Sequence, residues 1–149
     1  MARRYLTQGA ADVGTSLTVL GITSTTAIRP RIYDIVVGCG ATPADTATKF
    51  AMIRNTAAGT VGTSFTPIAL DPSDPAATFT SGYDHSAEPT YTSNAYLLTF
   101  SMNQRSTFRW VAAPGSELVA PATAANGIGL RSLASTGTAI HEATFLVEE

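Results

Sequence analysis

Few residues in this chain have the type and spacing that catalysis or metal binding requires. Cys39 and His85 form the one conceivable thiol–imidazole pair, and a lone cysteine is far more often a small core residue than a nucleophile. His141 and Glu142 are adjacent, so on a strand they point to opposite faces and cannot share a metal ion. Two histidines so far apart in the sequence give little support for a metal site.

The remaining chemical motifs are better explained as turns. Asp71 and Asp74 lie close together, but each precedes a proline, which favours a turn over a pair of catalytic carboxylates. Residues 38–40 read Gly-Cys-Gly after a strand-like segment, as in the dinucleotide-binding motif GxGxxG. The third glycine of that motif would fall at position 43, which is Pro43. We therefore predict no enzyme, no cofactor and no metal site.

Arginine is the polar residue type that carries the most chemical information. Every basic residue except Lys49 is an arginine, a side chain suited to bidentate and stacked contacts. Arg105 and Arg109 flank an aromatic segment that contains Trp110, and tryptophan and arginine are enriched at interface hot spots. Two interpretations stay open. The arginines either form salt bridges within the subunit, or contact Glu117 or the terminal glutamates of a neighbouring subunit.

The elements that would position these residues are almost all strands. Segments rich in β-branched and aromatic residues alternate in polarity and are separated by Pro-Gly, Asn-Gly and Asp-Pro turn signals. The predicted strands are 16–20, 31–37, 65–70 with an interruption at Pro67, 91–102, 107–112, 117–120, 127–133 and 138–147. About eight short strands with regular turns predict an all-β, jelly-roll-like antiparallel β-sandwich over residues 31–149.

Residues 42–58 fit two structures. Thr42 as the N-cap, Pro43 at the first helical position and Gly59 as a stop would define a helix. The apolar run around Phe50 is short, however, and the surrounding elements are strands. We therefore favour a strand.

The first 30 residues differ from the rest of the chain. They are rich in glycine, threonine and serine, and apolar residues are sparse. We predict an extended N-terminal arm over residues 1–30, with a disordered tail as the alternative. Tyr5, Leu17 and Leu20 favour an arm that docks on another surface. The predicted interface residues are Tyr5, Leu17, Leu20, Arg105, Arg109 and Trp110.

Charge is scarce in this sequence. Charged residues make up 13% of the 149 residues, about half the roughly 25% of an ordinary soluble domain. Threonine, serine, alanine and glycine take their place, and uncharged groups are less costly to bury than ions. Monomeric domains rely on surface charge to stay apart. We therefore predict that this chain packs against copies of itself or against another protein.

The net charge, the lengths of the apolar runs and the cysteine count argue against several other classes of protein. A net charge of −2 argues against nucleic acid as a partner, because such binding needs a basic surface. No run of 18 apolar residues is present, so we predict no membrane span. The amino terminus lacks an apolar block behind its arginines, and we expect no signal peptide. The single cysteine excludes an internal disulfide and suits a reducing cytoplasm.

Two sets of short motifs occur together. One is NQRSTFRWVAAPG at 103–115, followed by ELV at 117–119, PAT at 121–123 and NGIGL at 126–130. The other is TPAD at 42–45, RNTAAGT at 54–60, TP at 66–67 and LDP at 70–72. Together they resemble small structural proteins of tailed bacteriophages, including cyanophages, of the capsid cement or decoration kind. The resemblance spans residues 32–149.

This resemblance implies a β-sandwich, often a homotrimer, that is mounted on the lattice of a major capsid protein and reaches neighbours with a terminal arm. It implies a place on the capsid surface of a virion assembled in the host cytoplasm. The alternative is a trimeric tip or fibre module that binds a receptor or a glycan. Such a module should expose aromatic residues in its loops, and Tyr83 and Tyr91 bracket the loop 85–89.

Overall fold

The computed structural model describes residues 2–14, 17–134 and 139–149, and every regular element in these residues is a β-strand. The strands are β1 (Arg4–Asp12), β2 (Thr18–Thr23), β3 (Arg31–Ala41), β4 (Ala47–Ala57), β5 (Thr63–Phe65), β6 (Ile68–Ala69), β7 (Thr80–Tyr83), β8 (Thr90–Asn103), β9 (Phe108–Val111), β10 (Leu118–Val119), β11 (Gly127–Ala134) and β12 (Ile140–Glu148). The predicted strands at 16–20 and 138–147 each begin at residues outside the described part.

Two antiparallel sheets pack face to face. The first has the order β10-β3-β12-β1-β6, with β9 also paired to β3, and the second has the order β5-β7-β2-β11-β4-β8. The path from β1 to β4 changes sheet at every connection, and the path from β8 to β12 does so at every connection except that from β9 to β10, which both pair with β3. Nested pairs such as β1–β12 and β2–β11 are the winding of a jelly roll. The predicted all-β, jelly-roll-like sandwich is confirmed.

The core lies between the two sheets and follows the period-two alternation of the strands. On β12, His141, Ala143, Phe145 and Val147 are buried, while the residues between them are exposed or half-buried. Such alternation places one face of each strand in the core and the other towards solvent. Leu130 of β11, on the other sheet, belongs to the same core and is also fully buried.

The predicted N-terminal arm is wrong. β1 lies between β12 and β6 in the first sheet, and β2 lies between β7 and β11 in the second. Tyr5 and Leu20 are fully buried in the core. A strand in a sheet draws its backbone hydrogen bonds from its neighbours, whatever its side chains are. A weakly apolar segment such as residues 1–30 can therefore still contain paired strands. The described part of this segment belongs to the same sandwich as the rest of the chain.

The segment that fitted both a helix and a strand is a strand. β4 lies between β11 and β8, and Phe50 and Met52 are fully buried. Thr42 has a φ of 49°, which belongs to a left-handed turn and not to the β-region conformation of a helix N-cap. The favoured interpretation is therefore confirmed.

The predicted strand at 65–70 is two strands in different sheets. β5 pairs with β7 in the second sheet, whereas β6 pairs with β1 in the first. Pro67 lies between them and has no N–H to donate to a sheet. The interruption expected at this proline is therefore the point where the chain passes from one sheet to the other.

Candidate functional site

β8 forms an edge of the second sheet. It pairs with β4 on one side, and no strand in the described part of the chain pairs with its other side. Its 14 residues contain no Asp, Glu, Lys or Arg, although edge strands usually carry charges that prevent pairing with another molecule. Bulges shift its register against β4 up to Leu98, but the pairing is regular from Leu98 to Asn103. This half of β8 is a regularly paired, uncharged edge strand.

β9 forms the edge of the first sheet on the same side of the sandwich. Phe100 of β8 stacks on Phe108 of β9 with ring centroids 3.8 Å apart, and on Phe50 at 5.6 Å. Phe50 is fully buried, but Phe100, Phe108 and Trp110 are only half-buried. The core therefore reaches the surface here. We call this surface the open flank, and its apolar residues are Tyr96, Leu97, Leu98, Phe100, Phe108 and Trp110.

Arg105, Arg109 and Trp110 all lie at the open flank. Arg109 projects from the outward face of β9 and donates to Asp34 of β3 from Nη2 to Oδ2 at 2.6 Å and from Nε to Oδ1 at 3.1 Å. The interpretation in which Arg109 forms a salt bridge within the subunit is thus confirmed. Arg105 lies exposed in the turn between β8 and β9, where its backbone N–H donates to Oδ1 of Asn103.

The other three predicted interface residues lie elsewhere. The prediction is wrong for Tyr5 and Leu20, because fully buried side chains cannot reach a partner. The Tyr5 hydroxyl donates to the carbonyl of Pro75 at 3.0 Å inside the fold. Leu17 is exposed just before β2, and its N–H donates to Oε1 of Glu88 at 2.7 Å.

A second candidate site is a pocket on the outer face of the second sheet. We call it the His85 pocket. It has a volume of about 410 Å³, and its lining includes Gly21, Val61, Phe79, Gly82, His85 and Pro89. The sheet supplies the glycines, while the loops 58–62 and 84–89 supply Val61, His85 and Pro89. Among the described residues that line it, none carries a charged side chain.

His85 is the one titratable residue in this lining. Its side chain is 7% exposed, and Nδ1 is buried without a hydrogen-bond partner among the described residues. The other edge of the ring faces Gly21. Burial lowers the pKa of His85, although the nearby carboxylates of Glu88 and Asp84 act in the opposite direction. The imidazole is therefore neutral near pH 7.

The thiol–imidazole pair considered from the sequence does not form. Cys39 lies on β3 in the first sheet, where its thiol faces the carbonyl of Ala41 at 3.4 Å. His85 lies over the outer face of the second sheet. The two side chains are therefore on different sheets.

His141 is a core residue. It is fully buried on β12, with Nδ1 3.1 Å from the carbonyl of Ala139 and its ring edge-on to Phe50. Glu142 points to the opposite face of the strand and packs against Gly40, as the adjacency of the two residues predicted. Burial also lowers the pKa of His141.

The pair of aspartates expected to form a turn does so. The N–H of Asp74 donates to the carbonyl of Asp71 at 3.0 Å, and the Asp71 carboxylate accepts from the N–H of Ser73. This is the Asx-turn geometry that aspartate favours.

The loop 85–89 is fastened to the sheet. The Glu88 carboxylate accepts from the N–H and the hydroxyl of Thr18, and that hydroxyl also lies 2.7 Å from the hydroxyl of Tyr91. Burial raises the pKa of Tyr91, and the Arg131 guanidinium lies 5.2 Å from the centre of its ring. The ring of Tyr83 lies against Gly9 of β1. The two tyrosines thus pack onto the sandwich and do not form an exposed aromatic cluster.

Three residues of the open flank, Tyr96, Leu97 and Leu98, were not among the predicted interface residues. A signal was present, because residues 89–104 form an uninterrupted run without charge. Alternation alone could not show that this strand has a free edge, since that depends on which strands pair.

No protein-family model, no curated protein and no solved structure matches this chain. Within the described residues, no helix is long and apolar enough to cross a membrane. In the same part of the chain, no three His, Cys, Asp or Glu side chains are grouped so that they could hold a metal ion. The resemblance to capsid decoration proteins therefore stays a prediction from the sequence motifs.

Proposed function

We propose that this protein is a capsid cement, or decoration, protein of a tailed phage. It associates with copies of itself through the open flank and binds the lattice of the major capsid protein. The observation that carries this proposal is the charge-free edge of β8 beside the half-buried aromatic rings of β9. Such an edge is a liability for a monomer but a ready surface for an assembled protein.

Association through the open flank has two favourable terms. A strand added to the unpaired edge of β8 would form main-chain hydrogen bonds along residues 98–103. Covering Phe100 and Trp110 would complete their burial, and full burial of a large apolar side chain contributes about 1.5–3 kcal/mol. In a head-to-tail contact, the open flank of one subunit would meet a different surface of its neighbour. Such a contact closes into a ring when its rotation permits, and a homotrimer is the smallest such ring.

A cement protein also needs a contact surface that self-association leaves uncovered. β6 provides one at the opposite edge of the first sheet, where Ile68 is 57% exposed and Leu70 just beyond it is 49% exposed. We propose that this edge contacts the major capsid protein. In a trimer three such edges act together, so individually weak contacts give stable attachment.

The alternative is a receptor- or glycan-binding tip module. It predicts an exposed cluster of aromatic residues on the loop 85–89, and the packing of Tyr83 and Tyr91 onto the sandwich argues against that arrangement. We therefore favour the cement function.

Quantitative mass spectrometry of the purified virion distinguishes the two functions. A cement protein is present at a copy number proportional to that of the major capsid protein. A protein found in only a few copies per particle, with a tail fraction that retains it, would contradict the proposal.

The two contact surfaces are tested separately by binding to undecorated heads. Ile68→Glu is expected to abolish attachment to heads while the soluble oligomer persists, because residue 68 is exposed and lies away from the open flank. Exposed Ile140, in the variant Ile140→Glu, is the matched control. Equal attachment of the wild-type protein and Ile68→Glu would exclude the β6 edge.

A further inference from the structure

We propose that the His85 pocket binds one uncharged sugar unit. This site lies on the outer face of the second sheet and requires neither the open flank nor the β6 edge. Its ligand would be recognised by an apolar wall together with uncharged hydrogen-bonding groups. The inference therefore stands apart from the proposed capsid function.

The glycines of the sheet create the space for this ligand. At Gly82, a Cβ atom would collide with Val61 of the loop 58–62, and at Gly129 with the Tyr91 hydroxyl, so these positions are already covered. At Gly21, the nearest atom to a Cβ would be Cε1 of His85, at 3.8 Å. Gly21 is therefore an open part of the floor. The volume of about 410 Å³ is within the range of about 300–1,000 Å³ that is typical of small-molecule sites.

His85 gives the pocket an unused hydrogen-bonding group. The edge of the ring that carries Cε1 and Nε2 faces the open floor, with Nε2 3.9 Å from the position that a Gly21 Cβ atom would occupy. Nε2 of a neutral imidazole either donates or accepts a hydrogen bond, and a hydroxyl group can take the complementary role. We expect a hydroxyl of the ligand above Gly21 to bond to Nε2.

The charges around the pocket select against anions. None of the described lining residues carries a charged side chain, and the carboxylates of Glu88 and Asp84 lie near His85. An anionic ligand would lose its hydration and meet only negative charge, which is strongly unfavourable. An uncharged ligand avoids this penalty.

The remaining lining combines apolar and hydroxyl groups, as a sugar does. Val61, Phe65 and Pro67 contribute half-buried apolar surface, while Thr23 and Thr80 contribute hydroxyl groups. A pyranose presents one apolar face and an edge of hydroxyl groups, so both parts of the lining would be used. Small-molecule sites commonly have this composition of apolar walls with a few oriented polar groups.

The test is an NMR titration of the full chain with neutral methyl glycosides of glucose, galactose, mannose and N-acetylglucosamine. We expect at least one to give saturable shifts at Gly21, Gly82 and His85, with a Kd of about 1 mM, or −4.1 kcal/mol. Glucuronate, which carries a negative charge, is expected to bind at least about tenfold more weakly.

Two variants with one control separate binding from folding. Gly21→Ala adds a methyl group beside His85 at ordinary contact distance, so the fold is kept while the site is narrowed. Gly38→Ala is the matched control, because its Cβ would meet Thr107 alone, at 3.7 Å. His85→Phe keeps the ring volume and removes both nitrogen atoms. We expect Gly21→Ala and His85→Phe to weaken binding about tenfold or more, and Gly38→Ala to leave it unchanged.

Three results would overturn the inference: saturation by none of the neutral glycosides, equal binding of glucuronate, or binding that His85→Phe and Gly21→Ala both leave unchanged. Sugar binding is also expected to survive charge substitutions on β8. The inference can therefore fail while the capsid proposal holds, and the reverse is also possible.

Discussion

Phe100 of β8 and Phe108 of β9 stack across the two sheets with ring centroids 3.8 Å apart, and both rings remain half-buried. Behind them Phe50 is fully buried, with its ring 5.6 Å from that of Phe100. The three rings lead from the core to the surface. The sandwich is thus closed on this side by a contact that a second molecule could still cover.

This stack should contribute measurably to stability in the monomer. We expect Phe50→Ala to lower the free energy of unfolding by about 3–5 kcal/mol, and Phe108→Ala to lower it by less, because Phe108 is only half-buried. A double-mutant cycle between Phe100 and Phe108 should give a coupling of about 0.5–1.5 kcal/mol. Urea unfolding measures these values.

The cycle is best carried out with Thr99→Glu and Ser101→Glu present, so that association does not contribute. Both positions are exposed, and Ser101 pairs with Lys49, which a glutamate would complement. A coupling of zero would show that the two rings do not interact in solution.

The Arg109–Asp34 pair should respond asymmetrically to substitution. Asp34 is buried, whereas the Arg109 side chain is 62% exposed. Arg109→Ala leaves a buried carboxylate without its bidentate partner, which is more costly than losing the pair itself. We expect Arg109→Ala to lower the urea midpoint, and the further change Asp34→Asn to restore part of the loss. A double variant less stable than Arg109→Ala would contradict this account.

Both histidines make stability depend on pH. Burial lowers the pKa of His85 and of His141 in the folded chain, whereas an unfolded histidine has a pKa of about 6.5. Below that pH the unfolded chain binds more protons, so the stabilisation is complete above about pH 6.5 and is lost as the pH falls towards the folded pKa values. The slope per histidine can reach about 1.4 kcal/mol per pH unit.

Urea unfolding between about pH 5.5 and 7.5 tests this dependence, since ordinary carboxylates titrate mostly below that window. His85→Phe should reduce the slope, because only His141 then remains to contribute. A free energy of unfolding that is constant over this range would show that the histidines are not held neutral by burial.

Much of the fold follows from local sequence patterns. Alternation around Phe145 and Val147 indicates β12, and Pro67 marks the break between β5 and β6. The N-terminal strands could not be predicted in the same way. β1 pairs with β12, from Arg4 opposite Glu148 to Asp12 opposite Ile140, and residues so distant in the sequence leave no local signal.

The candidate sites were less predictable for a related reason. The charge-free run 89–104 is visible in the sequence, but its free edge depends on the order of strands in the sheet. His85 has the sequence surroundings of a solvated turn, but in the structure its ring is buried and faces Gly21 of the second sheet. For Tyr5 and Leu20 the error was the opposite one, since residues predicted at the surface are buried. Apolar residues in a weakly apolar segment can be core residues when their strands pair with distant parts of the chain.

The central claim is that the open flank joins copies of this chain. Its most direct test is the mass in solution of the wild-type protein and of Thr99→Glu/Ser101→Glu, measured by light scattering coupled to size-exclusion chromatography. The control is Thr123→Glu/Ala124→Glu, which adds the same charge in the exposed turn between β10 and β11. We predict a trimer for the wild-type protein and the control, and a folded monomer for the β8 variant. A monomeric wild-type protein, or a β8 variant that stays trimeric, would contradict the claim.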